Sequence, residues 1–217
     1  TPSVSSVDPS LDQGNRAVID LLANWLDELG FAVEVMPLAG EPARANLVAT
    51  LGSGPGGLVL SGHTDTVPYD EGKWKTDPFR LTQADQRLYG LGTSDMKSFL
   101  ALAIEASRDL SAADLKEPLV LLATADEEST MLGARDLVDR NALHARYAVI
   151  GEPTGLRPVR MHKGILMESI KLQGRSGHSS DPSLGISALE AMHTVIGALQ
   201  DWRTELQENN RNPLFAV

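Results

Sequence analysis

Short apolar runs alternate with amphipathic segments as far as residue 150, and this alternation constrains the fold more than any other feature of the sequence. Apolar side chains at helical spacing predict three helices, over residues 11–29, 96–110 and 132–140. Runs with strand composition lie at residues 31–36, 46–51, 58–60, 119–123 and 147–150. Because such elements pack in layers, the sequence predicts an α/β fold with a mixed, largely parallel sheet sandwiched by helices.

A glycine-rich stretch, residues 52–57, separates two of the predicted strands. Its composition suits either a flexible linker or a tight turn. We predict a tight hairpin turn, because connections between such short strands are normally short themselves.

The pattern changes towards the C-terminal end of the chain. One strand is predicted over residues 165–172, followed by one long helix over residues 184–206. Since one strand and one helix cannot close a core, we expect residues 1–164 to form a first domain and residues 165–217 to begin a second.

Composition excludes several classes of partner and site. The 217 residues include 29 acidic and 19 basic side chains, a net charge of −10 that repels phosphate backbones, so no nucleic-acid partner is expected. No apolar run approaches the ~20 residues of a membrane span, so no membrane partner is expected either. The absence of cysteine rules out disulfides, thiolate zinc sites and a cysteine nucleophile, and it suits a reducing compartment such as the cytoplasm.

His63 and Asp65 directly follow a predicted strand. Ligands of open α/β sheets gather beyond the carboxyl ends of the strands. Two residues apart in an extended segment, these side chains point the same way, and a metal-bound histidine needs a partner such as a carboxylate to hold its ring. His63 is therefore a candidate metal ligand, with Asp65 as the partner that holds its ring. The alternative is that the two are an ordinary strand-end histidine and a turn aspartate without a metal.

Three further positions carry acids where elements begin or end. Asp95 begins a predicted helix after a glycine-rich stretch and is either a ligand or a helix cap. The adjacent acids at 126–128 suit a solvated loop, or a cation site in which one carboxylate binds metal and its neighbour acts as base. Glu152 follows another strand, where a turn closed by Pro153 is the alternative.

Taken together, four candidate ligands are expected at one edge of the sheet, beyond four separate strand ends: His63, Asp95, Glu128 and Glu152. Oxygen ligands with one histidine suit zinc, cobalt or manganese. One carboxylate shared between two ions would give a two-metal hydrolytic site.

Six stretches of the chain resemble the dinuclear-metal deacetylase, desuccinylase and carboxypeptidase family: residues 63–68, 88–97, 124–128, 151–154, 162–164 and 176–182. The resemblance covers essentially the whole chain, and the fourth and fifth stretches favour the acetylornithine branch. It implies a zinc-exopeptidase-like fold in which the first domain is a metal-binding catalytic domain. The second would be an inserted α+β lid and dimerisation domain.

The resemblance also implies a role for each metal ligand. Asp95 would bridge two divalent ions, either zinc or cobalt. His63 and Glu152 would complete the ligands of one ion, and Glu128 would bind the other.

Three more residues gain expected roles from the resemblance. Asp65 would orient His63. Glu127 would be the general base that takes a proton from the attacking water and passes it to the leaving amine. His178, in the second domain, would stabilise the oxyanion in the site of a partner subunit; from the sequence alone it would be a polar turn residue. His144, His162 and His193 receive no catalytic role.

The substrate implied is a small N-acyl amino acid, N2-acetyl-L-ornithine, hydrolysed to L-ornithine and acetate in arginine biosynthesis by a homodimer joined through the lid. Desuccinylation of succinyl-diaminopimelate or carboxypeptidase activity is the alternative within the family. A non-catalytic metal-binding fragment is the alternative of another class. The family pattern also needs a further metal-binding histidine near the C-terminus, and none follows His193. We therefore expect the chain to be an internal fragment, lacking both ends of the family pattern and inactive by itself.

Overall fold

The computed structural model describes residues 1–210 and 212–214, except for the side chain of Glu71. The chain divides into two compact units, Thr1–Arg157 and Pro158–Val217. The described strands all lie in the first unit: β1 (Ala32–Leu38), β2 (Glu41–Leu51), β3 (Leu58–His63), β4 (Thr82–Ala84), β5 (Arg87–Tyr89), β6 (Leu119–Thr124) and β7 (Tyr147–Ile150). The α-helices are α1 (Arg16–Glu28), α2 (Lys97–Ala106) and α3 (Leu132–Asp139) in the first unit, and α4 (Ala188–Asn209) in the second.

Five strands form the main sheet, in the order β1-β2-β6-β3-β7. Strand β2 is antiparallel to both of its neighbours, while β6, β3 and β7 pair in parallel. Four of the five strands therefore run in the same direction. This confirms the predicted α/β class with a mixed, largely parallel sheet.

The prediction of a hairpin turn at residues 52–57 is wrong. Strands β2 and β3 are not neighbours, because β6 lies between them: Leu119 is in register with Leu51 on one side and with Leu58 on the other. The physical reason is the character of β6, whose six residues are all buried and apolar enough to need a covered strand on each side. The tight hairpin of this sheet joins β1 and β2 instead, around Gly40, whose φ is 79°.

Helices cover both faces of the sheet, as the sequence predicts. Alternate residues of β2 point to opposite faces. On one face, α1 and α2 pack against β2 and β6 through a core cluster that includes Ile19, Leu26, Leu47, Leu100 and Leu121. On the other face, Leu137 of α3 packs against Val48, Val120 and Leu122.

Helix α1 begins five residues later than predicted. The side chain of Asn15 is buried and makes three hydrogen bonds just before the helix. Its amide accepts from the backbone N–H of Ala45 at 2.9 Å and donates to the carbonyl of Ala45 at 2.8 Å. Because these bonds fix Asn15 against β2, the preceding residues form turns rather than a helical extension.

The structure also contains a short hairpin, in a separate two-stranded sheet, that was not predicted from the sequence. Strands β4 and β5 pair in antiparallel register, and the two residues between them, Asp85 and Gln86, both have positive φ, at 50° and 58°. This is the backbone of a two-residue primed turn, which usually carries Asn-Gly or Asp-Gly. The turn was not predicted because Asp-Gln is not one of these typical sequences. The hairpin leads into the loop that carries Asp95.

The second unit contains the predicted long helix but not the predicted strand. Helix α4 begins after Ser187, whose hydroxyl accepts the N–H of Glu190 at 3.2 Å as a helix cap. Residues 165–172 have no regular secondary structure, and Ile165 is 85% exposed. A strand needs a paired backbone, and the described part of this unit offers only an isolated bridge between Arg175 and Ile186.

None of the helices described by the structure is both long enough and apolar enough to cross a membrane.

Candidate metal centre

His63 ends β3 and is 2% exposed. Its ring N–H at Nδ1 donates to the backbone carbonyl of Asp65 at 3.0 Å, and Nε2 lies 2.9 Å from Oδ1 of Asp95. The ring is therefore held between two acceptors. Burial lowers the pKa of His63, but the negative charges of Asp65, Asp95 and Glu127 outweigh it, so that the pKa is raised above the usual value.

The other three predicted ligands lie near this ring. One ligand atom each from His63, Asp95 and Glu128 form a group whose members all lie within 4.8 Å of one another. Oε1 of Glu152 lies 3.9 Å from Nε2 of His63. The side chains of Asp95 and Glu152 are 50% and 40% exposed, so the group opens to solvent while the histidine beneath it is buried.

Asp95 does not follow a strand directly, which corrects the expectation of four strand ends. It lies in the loop between β5 and α2, and the peptide bond between Asp95 and Met96 is cis. The alternative role of Asp95 as a helix cap is also absent, because Met96 occupies the cap position and no side chain caps α2. The carboxylate of Asp95 contacts His63 instead.

Asp65 fixes the segment that follows β6. Its carboxylate is buried and accepts the backbone N–H groups of Glu127 at 3.2 Å and Glu128 at 3.0 Å. The same carboxylate lies 3.7 Å from Nδ1 of His63, whose hydrogen bond goes to the backbone carbonyl of Asp65. Asp65 thus connects the histidine to the two adjacent glutamates, through its carbonyl on one side and its carboxylate on the other.

Burial, and then the negative charges of neighbouring carboxylates, raise the pKa of two of the candidate ligands. Burial raises the pKa of Glu128 to about 6, with a further contribution from the negative charge of Asp95. Burial also raises the pKa of Glu152, although the positive charge of His63 acts in the opposite direction. A divalent cation would relieve this repulsion, because it favours the ionised form of every carboxylate around it.

The donor set fits a divalent metal. One imidazole and several carboxylate oxygens suit zinc, cobalt or manganese. The contact between Nε2 of His63 and Oδ1 of Asp95 joins two electron-pair donors, so it needs a proton or a cation between them. The second ring nitrogen of His63 already has the hydrogen-bond acceptor that metal-binding histidines require.

A cleft of about 410 Å³ lies beside the group. Asp95 and Glu128 form part of its wall, together with the aromatic side chains of Trp74 and Tyr89. The rest of the wall includes residues 90–94 of the glycine-rich loop. The cleft therefore gives a small molecule access to the acidic group.

Asp126, the first of the three adjacent acids, has a structural role that was not predicted from the sequence. Asp126 is 2% exposed and accepts hydrogen bonds from the hydroxyls of Ser5 and Thr130. Its Oδ1 lies 3.5 Å from the guanidinium of Arg44. The three acids are therefore not one solvated loop, since Asp126 points inward. No spacing signal relates it to Ser5 or Arg44, which are far away in the sequence.

His178 lies in the second unit. It is exposed, and its Nδ1 accepts the N–H of Ser180 at 3.2 Å and lies 2.7 Å from the hydroxyl of the same residue. These contacts describe a turn, and the role of His178 in catalysis stays a prediction.

Comparison with known proteins points to the same family as the motifs. The model of peptidase family M20/M25/M40 matches residues 59–211. Acetylornithine deacetylases from Pasteurella multocida and Proteus mirabilis are each 52% identical to the chain over 217 residues, which is 100% of this chain and 57% and 56% of those proteins. The chain thus spans little more than half the length of these curated relatives.

Solved structures share the fold. An M20 family metallo-carboxypeptidase from Sulfolobus solfataricus has a TM-score of 0.57 at 24% identity, over 69% of this chain and 34% of that one. A tripeptidase from Staphylococcus aureus has a TM-score of 0.56 at 20% identity, over 85% and 52% of the two chains. Human carnosine dipeptidase 1 has a TM-score of 0.53 at 28% identity, over 64% and 32%. With a family model that matches most of its length, the chain belongs to peptidase family M20/M25/M40.

Proposed function

We propose that this chain supplies metal ligands and the general base of an amide hydrolase that converts N2-acetyl-L-ornithine to L-ornithine and acetate. The observation that carries the proposal is the group formed by His63, Asp95 and Glu128, with ligand atoms within 4.8 Å of one another, beside an open cleft. The choice of substrate is supported by relatives that are named acetylornithine deacetylases and are 52% identical to the chain.

Four residues would hold two divalent ions, zinc or cobalt. Asp95 would be shared between the ions, with His63 and Glu152 on one of them and Glu128 on the other. A bound ion lowers the pKa of water towards ~7 and polarises an acyl carbonyl. Two observations support this assignment: the contact between Nε2 of His63 and Oδ1 of Asp95, and the raised pKa of Glu128. In both cases a bound cation would stabilise the groups involved.

Glu127 would move the proton. Its backbone N–H is bonded to the buried carboxylate of Asp65, while its side chain is only half-buried. A carboxylate on a fixed backbone and open to solvent suits a group that accepts a proton from water and then donates it to the leaving amine. His63, through its contact with the Asp65 carbonyl, belongs to the same hydrogen-bonded unit.

The cleft supports a small substrate with an amine or an acyl group near the acids. Its wall combines the aromatic rings of Trp74 and Tyr89 with acidic oxygens, and none of the described residues that line it is Lys or Arg. Such a wall favours the cationic side chain of ornithine over an anionic succinyl group. Oxyanion stabilisation by His178, a homodimer and a cytoplasmic location remain further parts of the proposal.

The test is a comparison of three substrates on the natural protein that carries this chain. Acetate release from N2-acetyl-L-ornithine should exceed succinate release from succinyl-diaminopimelate and release of a C-terminal residue from a peptide. Wild type stripped of metal by a chelator serves as the control and should lose activity until zinc or cobalt is restored. A preference for either competing substrate, or full activity without metal, would contradict the proposal.

A further inference from the structure

Residues 1–5, here called the strap, run alongside the segment that follows β3. The hydroxyl of Ser3 donates to the carbonyl of Thr64 at 2.7 Å. The backbone of the strap pairs with Thr66 in both directions, since Ser5 N–H donates to its carbonyl at 2.9 Å and its N–H donates to the carbonyl of Ser3 at 3.1 Å. The strap therefore holds the backbone on both sides of Asp65.

The strap also contacts the segment that follows β6. The hydroxyl of Ser5 donates to Oδ1 of Asp126 at 2.6 Å and lies 2.8 Å from the hydroxyl of Ser129. Both Ser5 and Asp126 are almost fully buried, at 4% and 2% exposure. Glu127 and Glu128 lie between the two residues that Ser5 contacts. The hydroxyl of Ser5 therefore binds both ends of the short segment that carries the proposed base and one candidate ligand.

A third contact reaches the start of α2. Nζ of Lys97 donates to the carbonyl of Thr1 and to the hydroxyl of Ser3, both at 3.0 Å. Lys97 is the first residue of α2 and follows Asp95 by two positions. The hydroxyl of Ser3 thus stands between Lys97 and the carbonyl of Thr64, and joins the Asp95 loop to the His63 segment.

These contacts share one consequence. His63, Asp95 and Glu128 come from three separate segments. His63 is the last residue of β3, whereas Asp95 and Glu128 lie outside the strands of the main sheet. The strap forms hydrogen bonds to all three segments. Ser3 and Ser5, whose hydroxyls take part in these bonds, are both buried. Buried hydroxyls with partners resist exchange with water, because an unsatisfied partner would be costly. The strap is thus placed to fix the spacing of the candidate ligands.

We propose that the strap is a positioning element of the metal centre, with Ser5 in the strap and its partner Lys97 on α2 as positioning residues. They act on the metal through the segments that carry the ligands and do not themselves ligate. This inference rests on the metal site proposed above. It goes further because it assigns an effect on metal affinity to Ser5, which precedes the first helix and lies more than fifty positions before His63, and to Lys97 at the start of α2.

The experiment is a titration of the full 217-residue chain with Co²⁺, followed by visible absorption, for wild type, Ser5→Ala and Lys97→Met. Removal of a group that orients metal ligands weakens binding by about 10- to 100-fold. We expect a loss in this range for both variants, together with an altered cobalt absorption spectrum. The spectrum reports ligand geometry, which a general loss of stability would leave unchanged in the molecules that remain folded.

Ser10→Ala is the matched control. The hydroxyl of Ser10 is exposed and donates only to Asp8 in the same turn, so its removal should leave Co²⁺ affinity and spectrum at the wild-type values. Ser129→Ala removes the half-buried partner of Ser5 and should weaken Co²⁺ binding in the same direction, which keeps the test decisive should Ser5→Ala fail to fold.

Two results would overturn the inference, and they are distinguishable. Wild-type affinity and spectrum in folded Lys97→Met and Ser129→Ala would show that the strap does not act on the metal centre, while the proposed function would stand. No Co²⁺ binding by the wild-type chain would instead remove the metal site, and the strap inference with it.

Discussion

At the level of single residues, the raised pKa of Glu128 ties metal binding to pH. Below its pKa of about 6 the carboxyl is protonated and gives a poor ligand; above it the carboxylate is free to bind. The pKa of His63 is raised as well, so protons compete with metal at both residues in the same direction. Metal affinity should therefore rise with pH through this range.

We expect Co²⁺ affinity to be markedly lower at about pH 5.5 than at about pH 7.5, with protons released on binding at the lower pH. Isothermal titration calorimetry in buffers of different ionisation enthalpy measures both quantities. Glu28→Gln, a change at an exposed helix position, should leave the pH dependence intact. A Co²⁺ affinity that is equal at the two pH values would show that these residues are not ligands.

Glu127 offers a second residue-level prediction, because it is assigned to proton transfer and not to metal binding. Glu127→Gln should keep the Co²⁺ affinity of the chain close to wild type. In the natural protein it should lower the rate of acetylornithine hydrolysis by ~10²–10⁴-fold, the usual contribution of a general base. Loss of metal binding with the base would assign Glu127 to the ligands instead.

At the level of elements, the loop between β5 and α2 depends on close approach at Gly92. Its φ is 82°, and a Cβ there would lie 2.6 Å from Cε of Lys97 and 2.8 Å from Cγ2 of Thr66. The loop carries Asp95 at its end, so its packing against Thr66 and Lys97 brings Asp95 towards the sheet edge. A glycine at this position is what permits that packing.

Gly92→Ala should therefore lower the free energy of unfolding by at least ~1–2 kcal/mol, the cost of left-handed backbone for a residue with a side chain. Urea denaturation of the metal-free chain measures the change. Gly72→Ala is the control, since the φ of Gly72 is not in the left-handed region and the new Cβ would lie 3.5 Å from Oδ1 of Asp70, an ordinary contact distance. Equal stability of the two variants would contradict this account of the loop.

Element types were more predictable than element neighbours. The apolar runs of β3, β6 and β7 and the helical stripes of α1 to α4 were readable, because periodicity and composition are local. The insertion of β6 between β2 and β3 was not, because it depends on register between distant strands. Asn46 shows the same limit. Its side-chain amide accepts the N–H of Ala125 and donates to the carbonyl of Gly133, and no local sequence pattern predicts either hydrogen bond.

The candidate site divides in a similar way. Motifs and strand ends were enough to select His63, Asp95, Glu128 and Glu152, which the structure brings together. The contacts of the strap could not be predicted from the sequence, since a serine near the start of the chain has no distinctive spacing to the loops with which it forms hydrogen bonds.

At the level of the whole molecule, the two units differ in how much of their chain is buried. The first unit holds both core clusters, whereas residues 158–174 of the second have no regular structure and are exposed. The described part of α4 likewise leaves large apolar side chains exposed, among them Leu189 and Trp202. Backbone without hydrogen-bonded structure or burial is the preferred substrate of proteases.

Limited trypsin digestion should therefore cut first within residues 158–174, for example after Arg160 or Lys171, and leave the first unit intact. Mass spectrometry of the early fragments identifies the sites. Early cleavage within the strands of the main sheet would show that the first unit is not the more stable part of the chain.

A metal site formed by His63, Asp95, Glu128 and Glu152 would be located by anomalous X-ray diffraction from crystals of the chain grown with Zn²⁺. We expect an anomalous peak within bonding distance of Nε2 of His63 and of a carboxylate oxygen of Asp95. Zinc bound only elsewhere on the acidic surface, with none beside His63, would contradict it.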